Sequence, residues 1–301
     1  MPALVYHASY SQLALPSHHR FPQSKYQALY QYLLDHHIAK PQDFHRPSQI
    51  TPEALAKIHS PTYVEQIMSR ALDAKAVRRL GLPLTEAVIT RSLYSVGGTV
   101  LACELAQEQG IALQLSGGYH HAHYDFGSGY CLFNDLMVAA HHAITQNGLN
   151  RVLIFDCDVH QGDGTASLSQ HYADIISCSI HCQSNFPARK QHSDLDIELP
   201  QGTSESSYLE AVKQTLDLAI RLYQPELILY DAGVDIHQDD DLGHLGVSTQ
   251  GIYLRDHYVI STAKQKNIPI ACVIGGGYSK KPLVLSQRHT QLFIAANRVW
   301  P

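Results

Sequence analysis

One stretch of the sequence, RVLIFDCDVHQGDGT at residues 151–165, restricts the fold of the chain more than any other. Its apolar residues 152–155 are typical of a parallel strand that is buried on both faces. Asp156, Asp158 and His160 follow at alternate positions, and alternation along an extended chain places them on one side. Because open α/β sheets bind ligands beyond the carboxyl ends of their strands, the stretch predicts a functional strand end. An acidic turn that caps the next helix is the alternative interpretation.

Apolar runs that suit strands alternate with amphipathic segments that suit helices along most of the chain. The predicted strands include residues 111–115, 152–155, 174–180, 227–230 and 268–274. The predicted helices between and after them include residues 91–109, 134–145, 205–223, 250–266 and 283–297. This order predicts an α/β fold with a mostly parallel sheet that is flanked by helices on both faces. Since no repeat or flexible linker interrupts the pattern, we predict a single domain over residues 1–301.

Charge and composition exclude several classes of function. Lys and Arg number 22 and Asp and Glu number 27, without a long basic run, which argues against direct nucleic-acid binding. No apolar run approaches the length of a membrane span, and the first residues do not resemble a signal peptide, so no membrane partner is expected. The six cysteines form no CxxC pair. A reduced, cytoplasmic protein is therefore predicted, and its oligomeric state stays open.

Polar or glycine-rich residues follow four of the predicted strands, which would bring them to one edge of the sheet. These segments are His120-His121, residues 156–160, Asp235 and Gly277-Tyr278. Asp158, His160 and Asp235 would give a zinc ion three ligands and leave a position open for water and substrate. Such a metal lowers the pKa of water and polarises a carbonyl group. For Asp235, which precedes three further aspartates at 239–241, a solvated acidic turn is the alternative.

The remaining polar residues suit the proton transfers of amide hydrolysis. His120 and His121 can take a proton from water and return one to the leaving amine. Tyr278 can donate a hydrogen bond to the developing oxyanion, while Asp156 and Asp163 can orient the histidines. Taken alone, the histidine pair also suits a surface turn, and Gly-Gly-Gly-Tyr also suits a helix entry or a phosphate cradle. The combination of all four segments favours one hydrolytic site.

Four motifs carry a resemblance to a known family. They are GGYHHAHYDFGSGYCLFND, VLIFDCDVHQGDGT, LILYDAGVDIHQDDDLG and IGGGY. Together they resemble the histone deacetylase family of zinc-dependent hydrolases, which share the arginase–deacetylase fold. The resemblance runs from about Tyr63 to Tyr278, and SHHRFPQSKYQAL with YDAGVDIHQDDDLGHLGVS is most similar to the class IV branch and its bacterial relatives.

This resemblance implies a role for each matching residue. It implies that the catalytic metal, zinc or iron(II) in the cell, is bound by Asp158, His160 and Asp235. It implies an acid–base pair, His120 with Asp156 and His121 with Asp163, and a carbonyl-polarising Tyr278.

The resemblance also implies a substrate tunnel and a second ion site. A narrow tunnel for the acyl-lysine stem would be lined by Gly129, Tyr130 and Phe186. A structural potassium ion would be bound by Asp156, the backbone carbonyls of Asp158 and His160, and the hydroxyl of Ser179. The chain departs from the family at Tyr130, where Phe is common, and at the tunnel rim, where no dependable Asp is identified.

We therefore expect zinc-dependent hydrolysis of the amide of N-acyl (acetyl) lysine in a protein or peptide. Acetylpolyamines or other small N-acyl amines are the alternative substrates. A ureohydrolase of the arginase type would need two manganese ions and an Asp-Ala-His-x-Asp pattern, whereas residues 156–163 suit one transition metal. A non-catalytic binder of acyl-lysine would predict the loss of a ligand or of Tyr278, and all of these residues are present.

Overall fold

A parallel sheet forms the centre of the molecule. The computed structural model describes residues 2–16 and 18–301. Its strands are β1 (Ala3–Val5), β2 (Phe44–His45), β3 (Ile111–Gln114), β4 (Val152–Asp156), β5 (Ile175–Cys182), β6 (Leu195–Leu199), β7 (Leu227–Asp231) and β8 (Ile270–Val273). They form one sheet in the order β2-β1-β3-β8-β7-β4-β5-β6, and all neighbouring strands are parallel. The prediction of a mostly parallel sheet is confirmed.

Helices flank this sheet. They are α1 (Lys25–Asp35), α2 (Pro52–Leu55), α3 (Pro61–Met68), α4 (Ala74–Leu80), α5 (Glu86–Gln109), α6 (Asp135–Thr145), α7 (Asp163–Ser169), α8 (Glu205–Tyr223), α9 (Thr249–Gln265) and α10 (Pro282–Val299). Every residue of β4, β7 and β8 is buried, as expected for strands that are covered on both faces. The apolar run that opens the central motif therefore occupies the core of the sheet.

Strand order brings the predicted site segments together. The neighbouring strands β3, β8, β7 and β4 are followed by residues 115–121, 274–278, 232–240 and 157–163, respectively. In register, Asp156 of β4 lies beside Asp231 of β7, and Asp231 lies beside Val273 of β8. Because parallel strands end at the same edge, these segments share one edge of the sheet.

Some local predictions were wrong in their bounds. Strand β4 ends at Asp156, and residues 158–160 form bends, so strict alternation does not continue to His160. Helix α5 begins at Glu86 rather than at residue 91, because Thr85 accepts a hydrogen bond from the Val88 N–H and caps it. Helix α4 and strand β6 were not predicted. Strand β6, at the edge of the sheet, is mostly only half-buried, which gives it a weak apolar pattern.

Two further observations bear on the expected environment. All six cysteines are buried free thiols. Within residues 2–16 and 18–301, none of the helices has the length and apolar character needed to cross a membrane. The single domain over residues 1–301 stays a prediction.

Candidate active site

Asp158, His160 and Asp235 converge at the carboxyl edge of the sheet. One potential ligand atom from each lies within 4.8 Å of the other two, and all three side chains are buried. His160 Nδ1 lies 2.8 Å from Asp158 Oδ1 and 3.2 Å from Asp235 Oδ2. The Asp158 carboxylate also accepts the His160 backbone N–H at 2.9 Å, which fixes the two residues relative to each other. The structure thus brings together all three predicted zinc ligands.

The surroundings of these residues fit a divalent metal ion. Among the described residues, the buried Asp235 Oδ2 takes part in no hydrogen bond. Gly276 has a φ of +42°, and a Cβ atom there would overlap the carboxylates of Asp235 and Asp158. A Cβ atom at Gly233 would lie 2.6 Å from the Asp158 Cα. Two carboxylates and an imidazole, buried and kept clear by glycines, form a donor set suited to zinc.

His120 is buried and lies among carboxylates. Its Nδ1 is 2.7 Å from Asp156 Oδ2, and its Nε2 is 3.9 Å from Asp158 Oδ1. Burial opposes a positive charge on the ring, but Asp156 and Asp158 outweigh it and raise the pKa of His120 well above its usual value. The predicted contact between His120 and Asp156 is present.

His121 has a similar carboxylate partner but a different electrostatic environment. Its Nδ1 lies 2.6 Å from Asp163 Oδ1, and the other Asp163 oxygen lies 3.1 Å from His123 Nε2. Burial and the neighbouring His120 lower the pKa of His121 to about 4. The Nε2 atoms of His120 and His121 are 3.1 Å apart, so one of them donates and the other accepts. The two histidines can therefore pass a proton between them.

Tyr278 is held by its backbone at the end of the glycine turn. Its N–H donates to Asp240 Oδ2 at 2.8 Å, and its ring meets His160 edge to face at 6.1 Å. Asp240 is fixed in turn by Arg288, at 3.5 Å. Lys25, buried at 4% exposure, donates a hydrogen bond to the carbonyl of Gly276 in the same turn. Asp240 and Lys25, which are far apart in sequence, therefore both position the turn that carries the predicted oxyanion donor.

The predicted tunnel residues surround the histidine pair. Gly129 has a φ of +54°, and a Cβ atom there would lie 2.5 Å from the His121 ring. Tyr130 lies 6.3 Å from Tyr278 between ring centres, and Phe186 packs edge to face on His121 at 4.8 Å. A cavity of about 30 Å³ is lined by Lys25, Tyr26, Tyr119, His120, His121, Gly129, Tyr130, Asp158, Tyr278 and their neighbours. Gly129 and Tyr130 thus face the cavity, whereas Phe186 contacts the site through His121.

The residues of the predicted potassium site lie on neighbouring strands. Asp156 and Ser179 are register partners in β4 and β5, and both are buried. Asp156 Oδ1 accepts the Asp158 N–H at 3.0 Å, and Ser179 Oγ lies 3.0 Å from His181 Nδ1. These positions agree with the resemblance, but occupation by potassium stays a prediction.

Sequence reasoning missed several buried residues beside the site. Asp231 is fully buried, with Oδ2 4.0 Å from His120 Nδ1, and neither of its oxygens is hydrogen-bonded within the described part of the chain. Burial and the nearby Asp156 raise its pKa well above the usual value. His59 is also fully buried, with Nδ1 2.8 Å from the His123 carbonyl and Nε2 accepting the Asn134 N–H at 2.9 Å. Asp231 directly follows the predicted strand at residues 227–230, which was an available signal, whereas His59 had none.

Comparisons with known proteins agree with this geometry. The histone deacetylase domain model matches residues 19–293. Histone deacetylase 2 of Arabidopsis thaliana is 30% identical over 92% of this chain and 75% of its own length. A solved HDAC homolog complexed with SAHA superposes with a TM-score of 0.83 at 20% identity, covering 98% of this chain and 84% of its own. An acetylpolyamine aminohydrolase from Burkholderia pseudomallei superposes with a TM-score of 0.80 at 19% identity, covering 99% of both chains.

The solved structures establish the fold, which is the arginase–deacetylase fold, and the two sequence matches span nearly the whole chain. The matched range includes the four strand-end segments that form the site. The chain therefore belongs to the histone deacetylase family.

Proposed function

We propose that the protein is a metal-dependent deacylase that hydrolyses the side-chain amide of N-acyl-lysine in a protein or peptide and releases a carboxylate and free lysine. One observation carries the proposal: Asp158, His160 and Asp235 converge within 4.8 Å directly beside the hydrogen-bonded pair His120 and His121. A metal site next to two proton-transfer groups is the arrangement that amide hydrolysis requires. Family membership supports the same chemistry.

Zinc is the metal we propose for Asp158, His160 and Asp235, with iron(II) as the alternative in the cell. When bound, the ion would polarise the amide carbonyl and lower the pKa of the attacking water. His120 and His121 remove the proton from the water and return one to the leaving amine. Their distal nitrogens stay oriented because each Nδ1 is held by a carboxylate within 2.7 Å.

Tyr278 completes the site from the glycine turn. Its hydroxyl donates a hydrogen bond to the oxygen of the amide as negative charge develops there. Burial and the Asp158 carboxylate raise the pKa of this hydroxyl well above 10, so it keeps its proton at neutral pH. Its backbone N–H is tied to Asp240, which limits movement of the donor.

The cavity supports a short acyl group. Its volume of about 30 Å³ is small, which favours a short acyl group such as acetyl over a long one. The side chains of Tyr26 and Tyr119 belong to its lining, and both are buried. Acetyl-lysine is therefore the substrate we propose, and a structural potassium ion at Asp156 and Ser179 would balance part of the buried negative charge.

An acetylpolyamine is the second candidate substrate. The fold likeness to an acetylpolyamine aminohydrolase extends over 99% of both chains, and the same bond would be broken. Acetyl-lysine is favoured because the histone deacetylase domain model matches residues 19–293 and the Arabidopsis histone deacetylase is 30% identical over 92% of this chain.

The test is turnover by the purified, zinc-loaded protein of acetyl-lysine peptides, longer acyl-lysine peptides and acetylpolyamines, each with and without a chelator. We expect chelator-sensitive release of acetate, fastest from acetyl-lysine peptides. The variant Asp235→Asn, assayed with the same zinc, is the control for contaminating hydrolases. A preference for acetylpolyamines would replace the substrate assignment, and no turnover on any member with metal bound would overturn the deacylase assignment.

A further inference from the structure

Phe186 occupies an unusual position for a large apolar side chain. It lies in the loop between β5 and β6 and is 46% exposed, yet its ring packs edge to face against the catalytic candidate His121 at 4.8 Å. An exposed aromatic residue in a loop has little packing to hold it in one place. Some other group must fix the backbone of Phe186 if its ring is to stay over His121.

Lys190 provides that fixation. Its ammonium group donates to the carbonyl of Asn185 at 2.6 Å and to the carbonyl of Pro187 at 2.8 Å, the two residues that flank Phe186. An ammonium group has three donors and no acceptor, and its hydrogen bonds to carbonyls are stronger than those between neutral groups. One side chain thus bridges the carbonyls of the residues directly before and after the aromatic residue.

Both ends of this bridge are anchored to the site. The residue after Lys190, Gln191, donates its N–H to Gln161 Oε1 at 2.8 Å and accepts from Gln161 Nε2 at 2.8 Å. Gln161 is fully buried and directly follows the metal-ligand candidate His160. At the other end, Asn185 Nδ2 donates to the carbonyl of Leu242 at 2.7 Å. The loop therefore cannot shift without breaking contacts to two segments of the site.

We propose that Lys190 is a positioning residue that fixes Phe186 over His121. In the tunnel position that the resemblance implies for Phe186, this fixation determines how tightly the stem of the substrate is held. The proposal rests on the proposed deacylase function. Because Lys190 contacts backbone carbonyls and not the reacting atoms, its loss weakens substrate binding and leaves the chemical step intact. The effect appears in KM and not in kcat.

A double-mutant cycle tests the proposal. Lys190→Met keeps the length of the side chain and removes the ammonium group, and we expect KM for an acetyl-lysine peptide to rise about tenfold, with kcat within about twofold. In a Phe186→Ala background the same substitution should leave KM unchanged, since the group it positions is gone. Lys190→Arg, which keeps the charge and donors, should recover at least half of the loss. Lys266→Met, at an exposed lysine at the end of α9, is the matched control.

A second readout separates this proposal from the proposed function. 4-Fluorophenylalanine placed at position 186 should give one narrow fluorine resonance in the otherwise wild-type protein and a broadened or split resonance with Lys190→Met. This measurement needs no turnover, so it decides the role of Lys190 even if no substrate is found. An unchanged resonance, an unchanged KM, or an equal rise in KM in the Phe186→Ala background would overturn the proposal.

Discussion

Strand β7 separates two clusters of buried charge. Tyr230 and Asp231 are consecutive residues of this strand, so their side chains point to opposite faces of the sheet. On one face the Tyr230 hydroxyl donates to Asp256 at 2.7 Å, and Asp256 pairs with Arg255. On the other face Asp231 approaches His120. Strand β7 therefore carries residues of two buried clusters, one in which an aspartate pairs with an arginine and one in which it does not.

The Arg255 cluster, formed by Arg255, Asp256 and Tyr230, is neutral as a whole. Arg255 Nη2 lies 2.8 Å from Asp256 Oδ1, and Arg255 Nη1 donates to the carbonyl of Gly233 at 2.6 Å. Arg255 and Asp256 are both fully buried. Each charge here has its counter-charge within the chain, which is the arrangement of a structural ion pair.

The carboxylate cluster, formed by Asp158, Asp231 and Asp235, has a different set of partners. Within 4.0 Å it meets the imidazoles of His120 and His160, and among the described residues no arginine or lysine pairs with it. All three are buried, and three oxygens of Asp231 and Asp235 take part in no hydrogen bond among the described residues. Buried carboxylates without partners raise the free energy of the folded state. The comparison indicates that the arginine-paired cluster serves stability, whereas buried carboxylates without an arginine or lysine partner suit the metal ion of the proposed function.

The largest effect is expected from Arg255→Met. This change leaves Asp256 buried without its counter-charge, and we expect the free energy of unfolding to fall by about 3–5 kcal/mol. Urea denaturation at neutral pH measures the change. The double variant Arg255→Met/Asp256→Asn removes both charges and should recover part of the loss. A single variant as stable as the wild type would contradict the structural role of the cluster.

The next effect, from Tyr278→Phe, should alter activity alone. Loss of the hydroxyl removes one oxyanion donor, and we expect kcat to fall about 100- to 1000-fold. Zinc content and the midpoint of urea denaturation should match the wild type, because the backbone N–H to Asp240 is retained. Near wild-type turnover would remove Tyr278 from the mechanism.

His59 is a buried residue whose charge state links stability to pH. Its two ring nitrogens bind the His123 carbonyl and the Asn134 N–H, and burial lowers its pKa to about 4. Between pH 6.5 and 4 the unfolded chain therefore binds a proton that the folded protein does not, so stability falls as the pH falls. The loss should reach about 3 kcal/mol over this window. Unfolding of wild type and His59→Gln at pH 7 and 4.5 should show a smaller loss in the variant; equal losses would contradict the assignment.

The fold and the ligand set were accessible from the sequence because both depend on local patterns. The apolar run of β4 and the polar residues at four strand ends follow from periodicity, and a parallel sheet brings such ends to one edge. Strand β6 was missed because half-buried edge strands lack a strong pattern. Lys190 and His59 were missed because their roles arise from distant partners or from backbone carbonyls, which no spacing reveals. Asp231 was missed although it directly follows a predicted strand, because its approach to His120 depends on the strand order.

The smallest expected effect, from Asp235→Asn, tests the comparison of the two clusters most directly. The sign of its change in the free energy of unfolding should depend on whether metal is present. Asp235→Asn keeps the Oδ1 atom that accepts the Val159 N–H at 2.9 Å but removes one of two neighbouring buried charges. Burial and Asp158 raise the pKa of Asp235, so its ionised form is disfavoured in the folded protein. Without metal we therefore expect the variant to be more stable than the wild type by about 1 kcal/mol.

With zinc present the order should reverse. An ion that binds only the folded wild type adds about 2.7 kcal/mol at a concentration 100-fold above its Kd, whereas the variant gains little because it has lost a ligand. Urea denaturation of both proteins, with a chelator and with zinc, measures all four values. A variant that is destabilised under both conditions would show that Asp235, like Arg255, serves the fold. A reversal of order would show that the Asp235 carboxylate stabilises the metal-bound protein and lowers the free energy of unfolding of the metal-free protein.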